Sequence, residues 1–361
     1  MEGSSLKTIV FTGGGSAGHV TVNLALIPLF LADGWSVHYI GSEQGIEQQL
    51  VSALSGVTYH AVATGKLRRY FSWKNASDPL RVVRGAWQAL RVLRAVRPRV
   101  VFSKGGFVSV PVVTAAWLLR VPVVLHESDL TPGLANRMCI PMATRVLTTF
   151  AETLTHLPAR RSACVGAVVR PDLLTGDAAA GRRLCGFDGA RPVVLVSGGS
   201  LGSTELNRLV RACLQDLLTD FQVVHICGRG QRVEALAQAS YCQFEFVTTE
   251  LPALVAAADI VVSRAGANAL HEFLALKKPM LVIPLPLSAS RGDQIANAQS
   301  FAQRGLCEVL AQEEATPELL AARIRRLYER RAVVRDRMAQ AQLAGDAVER
   351  VRGEIVAVAR A

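Results

Sequence analysis

The chain has 361 residues, half of them hydrophobic and few aromatic, and a formal net charge of +11. Its length suits two domains, and no stretch reaches the roughly 18 uncharged apolar residues of a membrane span. The segment Met1 to Ser5 lacks a signal pattern, and the seven cysteines are scattered without Cys-x-x-Cys spacing, so a cytoplasmic protein with no bound metal or cofactor is expected.

Short β-type runs alternate with helical patterns from the start. Thr8 to Thr12, Ser36 to Ile40, Val57 to Val62, Val100 to Ser103, Val121 to Leu125 and Val146 to Thr149 read as strands. This alternation predicts βαβ units and a parallel sheet covered on both faces, an α/β class. The longest apolar stretch, Gly105 to Leu119, holds two glycines and a proline and reads as a loop feeding a core helix. Residues 166–191, rich in glycine with a run of alanines, read as a linker containing a short helix. The alternation restarts with Val193 to Ser197, Gln222 to Cys227, Gln243 to Val247, Ile260 to Ser263 and Met280 to Ile283. The tail from Pro317 to Ala361 reads as helical, and Ile355, Val356 and Val358 require burial. The expected domains are therefore 1–165 and 192–340, with a C-terminal helix in 341–361.

The two halves begin alike. Thr8-Ile9-Val10-Phe11-Thr12 runs into Gly13-Gly14-Gly15-Ser16-Ala17-Gly18, and Val193-Val194-Leu195-Val196-Ser197 into Gly198-Gly199-Ser200-Leu201-Gly202. A glycine-rich turn between strand and helix aims backbone N–H groups at one spot where the helix dipole favours negative charge. Both turns are candidate phosphate sites. Gly41-Ser42 stands where an acid would directly follow the second strand, which argues against NAD.

His19 follows the first turn and suits phosphate contact or proton transfer. Ser103-Lys104-Gly105-Gly106 and His126-Glu127-Ser128-Asp129 place polar residues after two further strands, where open α/β sheets keep their ligands. In the second half Glu272 sits about two turns into a helix, where a carboxylate can take both hydroxyls of a ribose. Gln294 and Asn297 share a helical face, and their amides suit sugar hydroxyls. No Asp-x-Asp occurs to hold a diphosphate through a divalent ion.

Taken in order, these motifs resemble the MurG family. Gly13 to His19, Gly105 to Ser109 and Gly198 to Gly202 match its three glycine loops, and His126-Glu127, Arg170, Gly266 to Glu272, Gln294 and Asn297-Ala298 match in order and spacing. The resemblance implies a GT-B fold, two Rossmann-like domains facing each other across a cleft. It also implies an inverting, metal-independent hexosyltransferase that moves N-acetylglucosamine from UDP-GlcNAc to undecaprenyl-diphosphoryl-MurNAc-pentapeptide (lipid I), forming lipid II for peptidoglycan.

By the same resemblance, UDP-GlcNAc is expected on the C-terminal domain. Val247 would meet uracil, Glu272 the ribose, Ser200 the diphosphate, and Gln294 and Asn297 the sugar, with Arg170, Asn207 and Ala267 lining the site. The acceptor diphosphate is expected at Gly14, Gly15, Ser16, Gly18, Gly105 and Gly106, near Asn136, with His19 and Glu127 as the catalytic pair. The chain departs from the common pattern at Ser16-Ala17, Thr21-Val22-Asn23, Asp129, Ala167 and Asp293.

Between Lys66 and Lys104 stand eleven basic residues and one acid, Asp78. Arg81, Arg84, Arg91 and Arg94 share a helical arc with Trp87, with Val82, Val83, Leu90 and Leu93 opposite. Lys66 to Lys74 interleaves cations with aromatics, a mixture suited to an anionic membrane surface. Peripheral attachment to the cytoplasmic face of the membrane is expected, beside other cell-wall and division proteins, with no nucleic acid bound. The rivals weighed are a diacylglycerol glycosyltransferase, a UDP-GlcNAc 2-epimerase and a non-catalytic membrane scaffold.

Overall fold

The structure, a computed structural model, describes residues 7–15, 18–65, 78–341 and 346–360. The chain divides into two units, Met1–Val168 with Ala344–Ala361, and Val169–Leu343.

The first unit runs β1 (Thr8–Thr12), α1 (Gly18–Ala32), β2 (Ser36–Ser42), α2 (Ile46–Ser52), β3 (Val57–Val62), α3 (Asp78–Val96), β4 (Val100–Ser103), α4 (Ser109–Leu118), β5 (Val123–Glu127), α5 (Leu134–Cys139), β6 (Arg145–Thr148) and β7 (Ser162–Cys164). Its strands lie parallel in the order β3-β2-β1-β4-β5-β6-β7. Strand order reverses between β1 and β4, where Thr12 pairs with Ser103. Loops leaving the carboxyl ends of two such strands diverge and open a crevice between them, which fixes where a ligand can sit.

The second unit runs α6 (Ala178–Cys185), β8 (Val193–Ser197), α7 (Thr204–Ala212), α8 (Leu214–Asp220), β9 (Gln222–Ile226), β10 (Tyr241–Phe244), α9 (Leu251–Ala257), β11 (Ile260–Ser263), α10 (Ala267–Ala275), β12 (Met280–Val282), α11 (Asp293–Gln303), β13 (Glu308–Val309), α12 (Pro317–Glu329) and α13 (Arg331–Gln340). Its parallel order is β10-β9-β8-β11-β12-β13, with the reversal between β8 and β11, where Ser197 pairs with Ser263. The last helix, α14 (Ala347–Arg360), belongs to the first unit.

Alternation of side chains along each strand builds two cores in the first unit. Ile9, Phe11, Tyr39 and Phe102 pack with Leu26, Ile27 and Phe30 of α1 and with Val351 and Ile355 of α14. Val10, Ile40, Val101 and Leu125 pack on the other face with Ala89 and Leu93 of α3 and Val112 and Val113 of α4. Arg145 adds a two-pronged bond to Glu354 of α14, at 2.8 and 2.9 Å. That pair is partly exposed and is worth at most about 1 kcal/mol. The buried apolar face therefore holds α14 in place.

Several expectations need correction. The strand expected at Val121 to Leu125 is Val123–Glu127, because the Val121 N–H closes the end of α4 on Ala116 O. His126 and Glu127 thus end the strand rather than follow it. The strand expected at Gln243 to Val247 is Tyr241–Phe244, and the strand begun at Ser36 extends to Ser42. The short edge strands β7 and β13 were not anticipated. The segment 166–191 is not a free linker, since α6 packs on α9 through glycine. A Cβ on Gly176 or Gly181 would overlap the carbonyl oxygens of Pro252 and Ala253. Among the described residues the tail forms α12, α13 and α14, helical as expected. Along α3, Val83 lies on the exposed side with Trp87, not opposite it.

Candidate functional site

In the first unit the loops after β1 and β4 are pressed together, and glycine is what allows it. Gly106 has φ +83°, and a Cβ there would overlap Gly14 O and come within 3.3 Å of the His19 ring. Gly105 has φ +95°, and its Cβ would lie 2.8 Å from Asn136 Oδ1. Asn136 in turn donates to Glu127 Oε2 at 2.9 Å. Gly14, Gly15, Gly18, His19, Gly105, Gly106, Glu127 and Asn136 therefore converge at the sheet reversal. Ser16 and the segment Lys66 to Lys74 lie outside the described residues.

Two findings change how these residues read. The first turn's N–H groups are not all open, since Gly15 N–H donates to the fully buried Glu47 carboxylate at 3.3 Å. The other Glu47 oxygen accepts from Ser42 N at 3.1 Å and from the Ser42 hydroxyl. Glu127 is equally committed: it accepts from Asp129 N at 2.9 Å, Gly133 N at 2.8 Å and Asn136 Nδ2. A carboxylate so held fixes the β5–α5 loop and does not suit proton transfer, a correction to its expected catalytic part. Burial drives the His126 imidazole well below its ordinary pKa and draws Lys104 down to about 8.

In the second unit the loop after β8 has Gly199 at φ +86° and Gly202 at φ +74°, with Ser200 half-buried near its tip. Ser203 caps α7 by accepting from Leu206 N. Arg264, buried after β11, ties the reversal together. It donates to Ser203 Oγ at 2.6 Å, Ile283 O at 2.9 Å and Gln312 Oε1 at 2.7 Å. Gly266 ends the same loop and Ala267 opens α10, whose cap uses no side chain. The amino ends of α7 and α10 thus both rise from the strands at the reversal, the arrangement that favours an anion.

Glu272 meets Arg170 Nε at 3.3 Å. Burial raises the Glu272 carboxyl pKa, and the Arg170 charge opposes that rise. Gln294 and Asn297 share a face of α11, as the spacing predicts, and both turn to one residue. Gln294 Oε1 accepts from Ala265 N at 3.3 Å and Leu285 N at 3.1 Å, while Asn297 Nδ2 donates to Ala265 O at 3.3 Å. Asn297 is fully buried and clamps this loop, so it does not offer its amide to a sugar. The Gln294 NH₂ remains the end suited to a ligand.

Asn207 is a second correction. Its NH₂ donates to Cys227 O at 2.8 Å and Gln231 Oε1 at 2.7 Å, and its Oδ1 bonds His225 Nε2 at 2.9 Å. It is a buried tie between α7 and β9. Val247 lies beyond the end of β10, buried, beside Phe246, whose ring stacks on Arg229 at 5.1 Å. Glu47 and Arg264 were missed by sequence reasoning. A glutamate early in a helix reads as ordinary surface, whereas Arg264 gave a usable signal by following a strand directly.

The N-terminal domain model of glycosyltransferase family 28 matches residues 9–148, and the C-terminal domain model matches residues 193–351. A Geobacillus kaustophilus protein named UDP-N-acetylglucosamine–N-acetylmuramyl-(pentapeptide) pyrophosphoryl-undecaprenol N-acetylglucosamine transferase is 57% identical over 324 residues, 90% of this chain and 91% of that protein. An Oceanobacillus iheyensis protein of the same name is 52% identical, covering 92% of this chain and 93% of its own. Among solved structures, Acinetobacter baumannii MurG superposes with a TM-score of 0.72 at 24% identity, covering 98% of this chain and 99% of that one. A Neisseria meningitidis UDP-GlcNAc 2-epimerase superposes with a TM-score of 0.71 at 11% identity, covering 97% and 100%, and so shares the fold alone. With both glycosyltransferase family 28 domains present and relatives this similar along nine-tenths of its length, the chain belongs to the MurG family.

Proposed function

We propose that the chain is an inverting transferase that moves N-acetylglucosamine from UDP-GlcNAc to lipid I, giving lipid II for peptidoglycan. The observation that carries this reading is 57% identity along nine-tenths of the chain to a transferase named for that reaction. A glycine loop at each sheet reversal supports it.

In this reading the second unit holds the donor. Glu272 accepts from the ribose hydroxyls, the Val247 backbone meets the uracil, and the Gln294 NH₂ meets the sugar. Ser200 and the amino ends of α7 and α10 receive the diphosphate, with Ala267 and Arg170 beside it. Asn207 and Asn297 keep these loops in shape from behind. The first unit takes the acceptor diphosphate at Gly14, Gly15, Ser16, Gly18, Gly105 and Gly106.

The acceptor hydroxyl attacks the anomeric carbon of GlcNAc from the face opposite the diphosphate. As the glycosidic bond forms, the bond from that carbon to the phosphate oxygen breaks and UDP leaves with the electron pair. The hydroxyl proton passes to a base, a part we assign to His19. Backbone amides aimed at the leaving diphosphate stabilise the charge it gains.

No helix among the described residues is long and apolar enough to cross a membrane. We propose that the chain docks on the cytoplasmic leaflet through the basic segment and α3. In α3, Val83 and Trp87 are 67% and 55% exposed, and Arg91 stacks on Trp87 at 4.2 Å. Neutralising Arg68, Arg69 and Lys74 should weaken binding to anionic liposomes; unchanged binding would place the docking elsewhere.

The reaction is tested by transfer of radiolabelled GlcNAc from UDP-GlcNAc to a lipid I analogue, with wild type and His19→Ala side by side. Transfer by wild type and a loss of about 100-fold or more in the variant are expected for a general base. Wild-type protein that binds UDP-GlcNAc yet transfers nothing would overturn the assignment. Conversion of UDP-GlcNAc without acceptor would point to epimerisation.

A further inference from the structure

Lys104 ends up in an unusual place for a lysine. It follows the last residue of β4, at the reversal of the first sheet, and is only 1% exposed. Its backbone N–H donates to Thr12 O at 3.0 Å, which locks it to the end of β1, and its Cβ lies beneath Gly13. The side chain therefore runs under both glycine loops. Its ammonium donates to the Ser128 hydroxyl and makes no ion pair among the described residues.

The surroundings make that ammonium matter. Three acids border the same end of the sheet: Glu47 under the first loop, Glu127 at the end of β5, and Asp129 just after it. Both Glu127 oxygens are taken by N–H donors, so it compensates Lys104 only through space. Six buried side-chain atoms here have no hydrogen-bond partner among the described residues: Thr12 Oγ1, Asn23 Oδ1, Ser103 Oγ, Asn136 Oδ1 and both His126 nitrogens. Unsatisfied groups of this kind make the surroundings poor at compensating a buried charge, which leaves Ser128 and the nearby carboxylates to do so. An anion set on the two glycine loops meets three carboxylates and one buried cation. Without that cation the field there would repel it.

We propose that Lys104 is a positioning residue for the acceptor. Its buried positive charge, held by Ser128 under the two glycine loops, makes the loops a seat for the acceptor's diphosphate. This rests on the assignment of the acceptor to the first unit. Lys104 does not touch the reacting atoms; it acts through the potential at the loop amides.

Burial has drawn this ammonium down to about 8, with Glu127 and Asp129 opposing the shift. A lysine is charged below its pKa, so the seat is strongest below pH 8 and weakens above it. Two buried neighbours stay in one form from pH 7 to 9.5. His126 is neutral well below this range, and burial holds Tyr39 of β2 far above it.

The test uses full-length Lys104→Met and wild type in the transfer assay, varying donor and lipid I analogue separately from pH 7 to 9.5. Methionine matches the four-atom stem and removes the desolvated charge together with its hydrogen bond to Ser128, and a thermal melt checks that the fold persists. At pH 7 the variant should show an acceptor KM raised about ten- to a hundredfold, with the donor KM unchanged. Wild type should lose acceptor affinity as pH rises through about 8, whereas the variant should stay flat across that range. An unchanged acceptor KM in the variant would overturn the proposal. So would a wild-type acceptor KM that ignores pH, a measurement that stands even if the variant fails to fold. Absence of transfer by wild type at every pH would instead sink the underlying reaction.

Discussion

The two glycine loops begin from nearly the same sequence and end in different electrostatic settings. Beneath the loop after β1 lie a carboxylate, Glu47, and a lysine whose pKa burial has brought to about 8. Behind the loop after β8 lies Arg264, whose guanidinium is tied to Ser203, Ile283 and Gln312. Burial lowers the Arg264 pKa too, but from an ordinary value so high that the group stays charged. The second loop thus has a permanent cation and the first a titratable one. A strand, a glycine turn and a helix make an anion site possible; the charge packed behind the turn decides how strongly and at what pH it binds.

Two glycines, Gly106 after β4 and Gly199 after β8, differ in what they demand, and this supplies the largest expected effect. At Gly106 both conformation and space demand glycine, whereas a Cβ on Gly199 would meet nothing within 4 Å. Gly106→Ala should cost roughly 2–4 kcal/mol, from left-handed strain plus overlap with Gly14, and abolish acceptor use. Gly199→Ala should cost only about 1 kcal/mol, from φ alone. Denaturant unfolding of the two variants compares them directly, and equal losses would break the contrast.

A smaller effect separates support from contact within the second unit. Asn207→Ala removes the partner of His225 Nε2, Gln231 Oε1 and Cys227 O and should cost about 2–3 kcal/mol, lowering Tm by several degrees. Its donor KM should move less than threefold, because the side chain faces inward. A large rise in donor KM with an unchanged melt would return Asn207 to the ligand.

Much of this was legible beforehand, for identifiable reasons. Strands such as Val193–Ser197 are buried on both faces and so announce themselves as continuous apolar runs. Ser162–Cys164 and Glu308–Val309 lie at sheet edges and are too short and polar to do so. Glycine misled at Gly176 and Gly181, where it marks close approach of α6 to α9 rather than an open loop. The convergence of His19, Gly106 and Glu127 followed from their places at or just after strand ends, whereas Asn136, inside α5, was expected there from the family resemblance alone. The true work of Asn207 and Asn297 did not, since an amide that suits a sugar hydroxyl suits a backbone carbonyl equally well. Nor did spacing reveal that Glu47 would reach under the first loop.

The central claim is that donor and acceptor are read by different units. The most direct measurement determines KM for UDP-GlcNAc and for a lipid I analogue in one transfer assay, with Glu272→Ala and Lys104→Met compared to wild type. The account predicts that Glu272→Ala raises the donor KM by about 30- to 100-fold through loss of charge-assisted hydrogen bonds to the ribose, leaving the acceptor KM near wild type. It predicts the reverse pattern for Lys104→Met. A donor KM raised equally by both variants would contradict the division.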